Sequence, residues 1–354
     1  MSRAVDPTRR EAAPSAPAAQ AAPPAPPAPA AQPAPSAPSA PSAPSADRSE
    51  LLERYDDAAA ASAATVISRY STSFGGAARL LDAPTRRGIR SIYALVRVAD
   101  ELVDGTAAAA GLAATEIRAV LDELEAETET AMARGFSTNL VVHAFATTAT
   151  AVGIDASLTR PFFASMRRDL DPSPIRADEV GPYIHGSAEV VGLMCLAVFL
   201  AAEAPRPTRA SGSGPAEPRE QAYPERRHRL EVGATHLGAA FQKINFLRDL
   251  ETDWRMLGRN YFPWCDPEAF TEDDKRRILD DIDRDLDIAG RSIPELPRRA
   301  RGAVLAAHGL FAALTARCRA TPAEVLMTTR IRVPDAAKLA IVARAMIASA
   351  GGAR

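Results

Sequence analysis

Asp100 and Asp104, and again Asp249 and Asp253, stand four residues apart within helix-like sequence. Side chains at i and i+4 share one face of an α-helix, so each pair stacks two carboxylates one turn apart, where they repel. A positive partner is therefore expected between them. Carboxylate oxygens that share a strongly hydrated cation with substrate phosphates suit Mg²⁺, which keeps several waters and takes one or two protein carboxylates per ion. The two pairs read as opposite walls of a diphosphate site.

The residues around each pair strengthen this reading. At about 100° per residue, Tyr93, Arg97, Asp100 and Asp104 fall on one stripe of SIYALVRVADELVDG, and Gln242, Asn245, Asp249 and Asp253 on one stripe of GAAFQKINFLRDLETDW, with Gly238 a turn earlier. Apolar residues occupy the other faces, so the polar stripes are expected to face an internal cavity. The segment LDDIDRDLD repeats the spacing at Asp281 with Asp285 and at Asp283 with Asp287, beside the apolar stripe Ile278, Ile282, Leu286 and Ala289. Those four acids are expected on the wet side of an amphipathic helix.

The chain resembles the squalene and phytoene synthases, the head-to-head prenyl transferases. YALVRVADELVD and QKINFLRDLETD followed by GRNYFP resemble the family's two aspartate-rich signatures; STSFGGAARLL, YIHGSAEVVGLM and RIRVPDAAKLA resemble its opening Ser-Phe element, its middle helix and its closing Arg and Lys segment. The similarity runs from about residue 66 to 346 in family order. It implies an all-α fold, an isoprenoid synthase helical bundle around a central cavity. It further implies that Asp100, Asp104, Asn245, Asp249 and Asp253 bind Mg²⁺, with Mn²⁺ as a substitute. Arg97, Arg248, Arg259 and Arg330 would hold diphosphates, Arg being suited to bidentate contact with phosphate oxygens. Tyr93, Tyr183, Tyr261, Ser73, Phe74 and Gln242 would line the reaction chamber.

The implied reaction condenses two allylic diphosphates through a cyclopropyl diphosphate. YALVRVADELVDG and SAEVVGLMCL look most like bacterial phytoene synthases, which points to two geranylgeranyl diphosphates and carotenoid biosynthesis. The alternatives are squalene or dehydrosqualene formation from two farnesyl diphosphates, and a non-catalytic helical scaffold of the same family. NADPH enters only with squalene; no Gly-rich dinucleotide fingerprint is present. Three positions depart from the family pattern. Glu101 stands where many members have Asp, Thr252 where many have Glu, and Phe311 precedes the closing Arg where a Tyr is frequent.

Composition fits a large helical enzyme. Of 354 residues, those from 1 to 46 form a Pro/Ala/Ser-rich tail expected to be disordered, leaving 47–354 as one all-α domain. A charged, Pro-rich stretch at about 203–229 is expected to be a mobile insertion. A net charge of −2 gives no electrostatic reason for a nucleic-acid partner. Three cysteines without pairing pattern suit a reducing cytoplasm, and no run of 18 apolar residues predicts a membrane span. The expected partners are isoprenyl diphosphates, with contact to the inner face of a membrane for release of a lipid product. A carboxylate-bridged di-iron bundle would need Glu-x-x-His from two helices, and only Glu225 with His228 matches.

Overall fold

The computed structural model describes residues 45–71, 73–203 and 219–351. The Pro/Ala/Ser tail up to residue 44 and residues 204–218 lie outside the described residues, as do the side chains of Ser73, Phe74 and Thr252. Among the described residues there are α-helices and no strands. In chain order they are α1 (Ser45–Tyr70), α2 (Ser73–Ala78), α3 (Ala83–Val103), α4 (Thr106–Ala109), α5 (Ala114–Arg134), α6 (Leu140–Val152) and α7 (Ala156–Asp169). After these come α8 (Ala177–Ile184), α9 (Val190–Ala201), α10 (Arg219–Leu257), α11 (Glu272–Ser292), α12 (Arg298–Ala320), α13 (Ala323–Leu326) and α14 (Asp335–Gly351). A π-helical turn, His185–Glu189, joins α8 to α9.

Local sequence explains the ends of the two helices that carry the aspartates. At the start of α3 the Asp82 side chain accepts a hydrogen bond from the Thr85 amide, and Pro84 lies in the first turn, where its missing N–H is no loss. At the far end Gly105 adopts φ 109°, a conformation that other residues rarely take, and ends the helix directly after Asp104. Gly258 does the same after α10, with φ 66°, and the Arg259 amide turns back to donate to the Asp253 carbonyl. Each aspartate pair therefore sits in the last turns of a helix, beside a glycine that reverses the chain.

Two apolar clusters hold these ends in place. One joins α3, α6, α7 and α9 around Phe145, Phe162 and Phe163; the other joins α10, α11 and α12 around Ile244, Leu247, Ile278 and Leu279. Leu247 and Leu279 are 1% and 0% exposed. Truncating either to Ala should cost about 2–5 kcal/mol, since the helices cannot close over the void. A cavity lies between α3, α9, α10 and α12.

One expectation is corrected here. Residues 219–229 are helical and begin α10, held by the Arg226 guanidinium on Glu203 and on the Glu295 carbonyl, and by Arg229 on Glu295. The charge run is thus the paired face of a helix. By length and composition the run Ala177–Ala201 could cross a membrane, with mean hydropathy 1.8. Its apolar residues are used within the fold, Val190, Met194 and Val198 in the core and Val191 and Phe199 against the cavity.

Asp285 also departs from expectation. It is 6% exposed, its carboxylate accepting from Lys243 Nζ at 2.7 Å and lying 2.7 Å from His236 Nδ1. Lys243 also reaches Asp281, so these acids form the polar seam between α10 and α11; Asp287 alone of the four is exposed. The spacing could not show this, because the partners, Lys243 and His236, come from another helix. Asp285→Asn should lower unfolding free energy by about 1.5–3 kcal/mol, the range for hydrogen bonds to charged groups. Asp287→Asn should change it by less than about 0.5 kcal/mol, and urea denaturation of both variants checks the difference.

Candidate active site

Three helix ends meet at the site. Asp100 and Asp104 come from α3, Asp249 and Asp253 from α10, and Asp169 from the end of α7. Arg259, delivered by the Gly258 turn, bridges them. Its Nη1 lies 3.4 Å from Asp104 Oδ1 and 3.8 Å from Asp169 Oδ1, and its Nη2 donates to the Asp169 carbonyl at 2.7 Å. Asp169 is 6% exposed and accepts from Tyr183 at 2.7 Å and Tyr261 at 3.3 Å. The two tyrosine rings stack at 5.1 Å, and Phe246 stacks on Tyr261 at 3.9 Å.

Burial and mutual repulsion govern the protonation of these acids. Loss of solvent, then the charge of Asp104, pushes Asp100 up to about 7. Loss of solvent, then Asp249, pushes Asp253 up to about 7, with Asp104 and Asp169 adding to the rise. Asp169 is pushed up to about 6 by burial, against the pull of Arg259 and the tyrosine hydroxyls. Because Asp253 senses Asp104 and Asp169, the two walls inferred from sequence do face one another. The site gathers more negative charge than Arg259 alone neutralises.

The remaining arginines are arranged around this cluster. Arg248 holds the Asp249 carboxylate through Nε at 3.0 Å and Nη2 at 2.5 Å, and Arg330 reaches the same carboxylate from the loop before α14 at 3.1 Å. Arg97 turns along α3 to Glu101, which also accepts from Thr106, and its guanidinium covers the Tyr70 ring at 4.6 Å. Gln242 is half-buried on α10. Tyr93 and Asn245 line the cavity.

That cavity, about 330 Å³, begins beside Tyr93 and Asn245 and continues along one stripe of α10 through Phe241, Gly238, Leu237 and Ala234 to Leu230. Phe241 and Phe311 stack at 3.6 Å in its wall, so the position where a tyrosine was expected supplies an apolar ring. Leu196, Leu230, Ile293 and Leu296 pack together as its floor. Glycines let α9 and α10 approach this closely: a Cβ on Gly192 would lie 2.5 Å from the Ala234 carbonyl oxygen, and one on Gly238 would lie 2.6 Å from that of Ala188.

Among the described residues no group of three or more His, Cys, Asp or Glu is arranged to hold a metal ion by itself. The donor set nevertheless fits Mg²⁺. It is all-oxygen, offers one or two carboxylates per ion from each wall, and leaves the other positions to water and phosphate. Raised carboxylates next to one another are what a divalent cation would relieve. Asp169 escaped sequence reasoning because no acid stands four residues from it; only the fold brings it to the cluster.

Comparison with known proteins agrees with this geometry. The squalene/phytoene synthase family model matches residues 67–337. Phytoene synthase of Mycobacterium tuberculosis is 26% identical over 290 residues, covering 77% of this chain and 85% of that protein. The 15-cis-phytoene synthase of Synechocystis is 31% identical over 262 residues, covering 70% and 72%. Among solved structures, a dehydrosqualene synthase superposes with TM-score 0.62 at 17% identity, over 85% of this chain and 99% of that one. The squalene synthase HpnC from Alicyclobacillus acidocaldarius gives TM-score 0.55 at 18% identity, over 74% and 95%. The fold is the helical isoprenoid synthase fold, and the chain is a prenyltransferase. The chain belongs to the squalene/phytoene synthase family, whose members depend on divalent metal and bind isoprenyl diphosphates.

The raised carboxylates make stability depend on pH with a definite sign. The folded protein keeps protons on Asp100, Asp253 and Asp169 that the unfolded chain releases near 3.8, so their contribution to stability falls as pH rises from about 4 to about 7. Asp253→Asn should therefore melt several degrees above wild type at pH 8 without metal, and nearly with it at pH 4. Mg²⁺ should raise the wild-type melting temperature at pH 8 more than at pH 5, because it competes with protons for the same oxygens. A difference that is constant across pH 4–8 would contradict the crowding.

Proposed function

We propose that this chain is a phytoene synthase, condensing two geranylgeranyl diphosphates through a cyclopropyl diphosphate to the C40 hydrocarbon of carotenoid biosynthesis. The observation that carries this reading is the length of the tunnel. From Asn245 to Leu230 the lining stripe spans 15 residues of α10, about 22 Å at 1.5 Å per residue. An extended carbon chain advances ~1.25 Å per ~1.5 Å bond, so a geranylgeranyl tail of about 15 chain bonds reaches ~19 Å and a farnesyl tail of about 11 reaches ~14 Å. The longer tail matches the span of this stripe more closely. A farnesyl tail would leave the lower third, between Ala234 and Leu296, empty.

Asp100, Asp104, Asn245, Asp249 and Asp253 are the residues that would hold Mg²⁺. When bound, these ions neutralise the departing diphosphate as a Lewis acid does. Arg259, Arg248, Arg330 and Arg97 are the residues that would take diphosphate oxygens. Tyr183 and Tyr261 fix Asp169 and so the position of Arg259. Below the charges, Phe241 and Phe311 line the cavity as a stacked pair, and this apolar wall would exclude the water that quenches a carbocation. The phytoene synthases of Mycobacterium tuberculosis and Synechocystis support the same product. A cytoplasmic enzyme that releases a lipid would deliver it at the inner membrane face.

Purified protein with Mg²⁺ and geranylgeranyl diphosphate should release a C40 hydrocarbon without NADPH. Turnover of farnesyl diphosphate alone, completed by NADPH, would replace this reading with squalene synthesis. Ala234→Phe should fill the lower third of the tunnel and turn the preference toward farnesyl diphosphate in a competition assay. An unchanged preference in a folded variant would show that this tunnel does not measure the tail. Asp253→Asn should lower turnover by roughly 10² to 10³, as does loss of one group that stabilises transition-state charge, whereas Asp287→Asn should leave it unchanged.

A further inference from the structure

The last helix is apolar on two sides and covered on one. α14 turns Ile341, Val342 and Ala345 inward, where Ala345 packs with Ala77 of α2 and with Ala306 and Ala307 of α12. Its outward side carries Leu339, Met346 and Ile347, exposed by 71%, 53% and 73%, with Ala336, Ala340 and Ala343 between them. At about 100° per residue these six positions fill one arc of ~120° in which no polar residue stands. Leu339 and Ile347 are the two most exposed large apolar side chains among the described residues. A helix that is hydrophobic all round belongs in a core or in lipid, and a contiguous exposed apolar patch with a polar rim marks an interaction surface.

The charge around this face is of one sign. From Pro297 to Arg354 the chain has ten Lys and Arg against two acids, Glu324 and Asp335, although its net charge as a whole is −2. Arg298, Arg332 and Arg344 are exposed, and none has an ion-pair partner among the described residues. α12 runs antiparallel beneath α14: a Cβ on Gly302 would lie 3.0 Å from Ser349 Oγ, and one on Gly309 would lie 2.9 Å from Ile341 Cγ2. Arg298, one turn before Gly302, therefore stands at the C-terminal end of α14. Arg332 stands three residues before its first residue, and Arg344 borders the apolar arc next to Ala343. Both ends and one edge of the arc thus carry an unpaired cation.

This combination selects the partner. In a two-fold dimer the same patch meets itself, which would bring the arginines together with no acids to receive them. An anionic bilayer offers both an acyl boundary for the arc and phosphates for the guanidinium groups. We propose that α14 lies on an anionic membrane surface, with Leu339, Met346 and Ile347 entering the acyl boundary while Arg298, Arg332 and Arg344 meet lipid phosphates. The proposal rests on the membrane contact inferred above and names the face that makes it. α12 stands between this face and the reaction cavity, since Ala307 packs with Ala345 and also lines the cavity beside Ala303 and Val304. A hydrocarbon leaving the cavity on this side would have one helix, about 10 Å across, to pass.

The test is flotation of the full chain, without substrate, on phosphatidylglycerol and on phosphatidylcholine vesicles. No turnover is needed, so a wrong chain length or reaction counts against the earlier reading and leaves this result untouched. The wild type should bind phosphatidylglycerol vesicles, bind phosphatidylcholine more weakly, and lose affinity as salt screens the arginines. Leu339→Gln, Met346→Gln and Ile347→Gln combined should weaken binding at least about tenfold, and Arg344→Gln about fivefold. Gln suits a helix, so both variants should melt with the wild type. Ile347→Gln alone, at the most exposed of these sites, should shift binding in the same direction and serves if the triple variant unfolds. A wild type that ignores vesicles, binding indifferent to their charge, or equal binding by the folded Gln variants would overturn the proposal. So would a lipid-free mass of two chains that returns to one in the triple variant, because a second copy would then cover the face.

Discussion

Repulsion among Asp100, Asp104, Asp169 and Asp253 is the constraint on which the rest of the structure depends. Three helix ends bring these carboxylates within electrostatic reach of each other, with Arg259 as the bridging cation. Left to itself such an arrangement would drive α3, α7 and α10 apart. The two apolar clusters oppose that tendency, one locking α3 to α7 and α9, the other locking α10 to α11 and α12. The Lys243 and His236 contacts to Asp285 add a charged fastening behind α10, on the side away from the site. The scaffold thus stores an excess of negative charge that a metal and its diphosphate ligands would neutralise.

α10 links this charge to the tunnel. One stripe of the helix carries Asp253, Asp249 and Asn245 toward its C-terminal end and Phe241, Leu237, Ala234 and Leu230 further down, so a polar end and an apolar length share a single helix. Close packing fixes that helix against α9. With Gly192 facing Ala234 and Gly238 facing Ala188, any larger residue would push the helices apart and change the tunnel along its length. The π-helical turn sits at the same crossing, its Ala188 carbonyl packed against Gly238.

Local patterns carried much of this into the sequence. Helical periodicity gave the all-α class, and the polar stripes at 93–104 and 242–253 located both walls, because both features depend only on residues within one helix. What failed depended on neighbours in space. Asp281 and Asp285 looked solvated since their partners, Lys243 and His236, lie about 40 to 50 residues away on α10. Asp169 was invisible for the same reason, and the charge run at 219–229 looked like a loop because Glu203 and Glu295, which pair with it, are distant in sequence. Tyr183 could be read either as a core aromatic or as a chamber residue; it is buried, and its hydroxyl orders Asp169.

The central claim is that the crowded carboxylates form one site for metal and diphosphate together. Calorimetric titration with inorganic diphosphate at pH 8, with and without Mg²⁺, tests it most directly, since two ligands that share a site must strengthen one another reciprocally. The account predicts weak or no binding of diphosphate alone, tight binding in Mg²⁺, and loss of that enhancement in both Asp104→Asn and Asp249→Asn, one variant from each wall. Diphosphate that binds equally well without Mg²⁺, or an enhancement that survives removal of either wall, would contradict it.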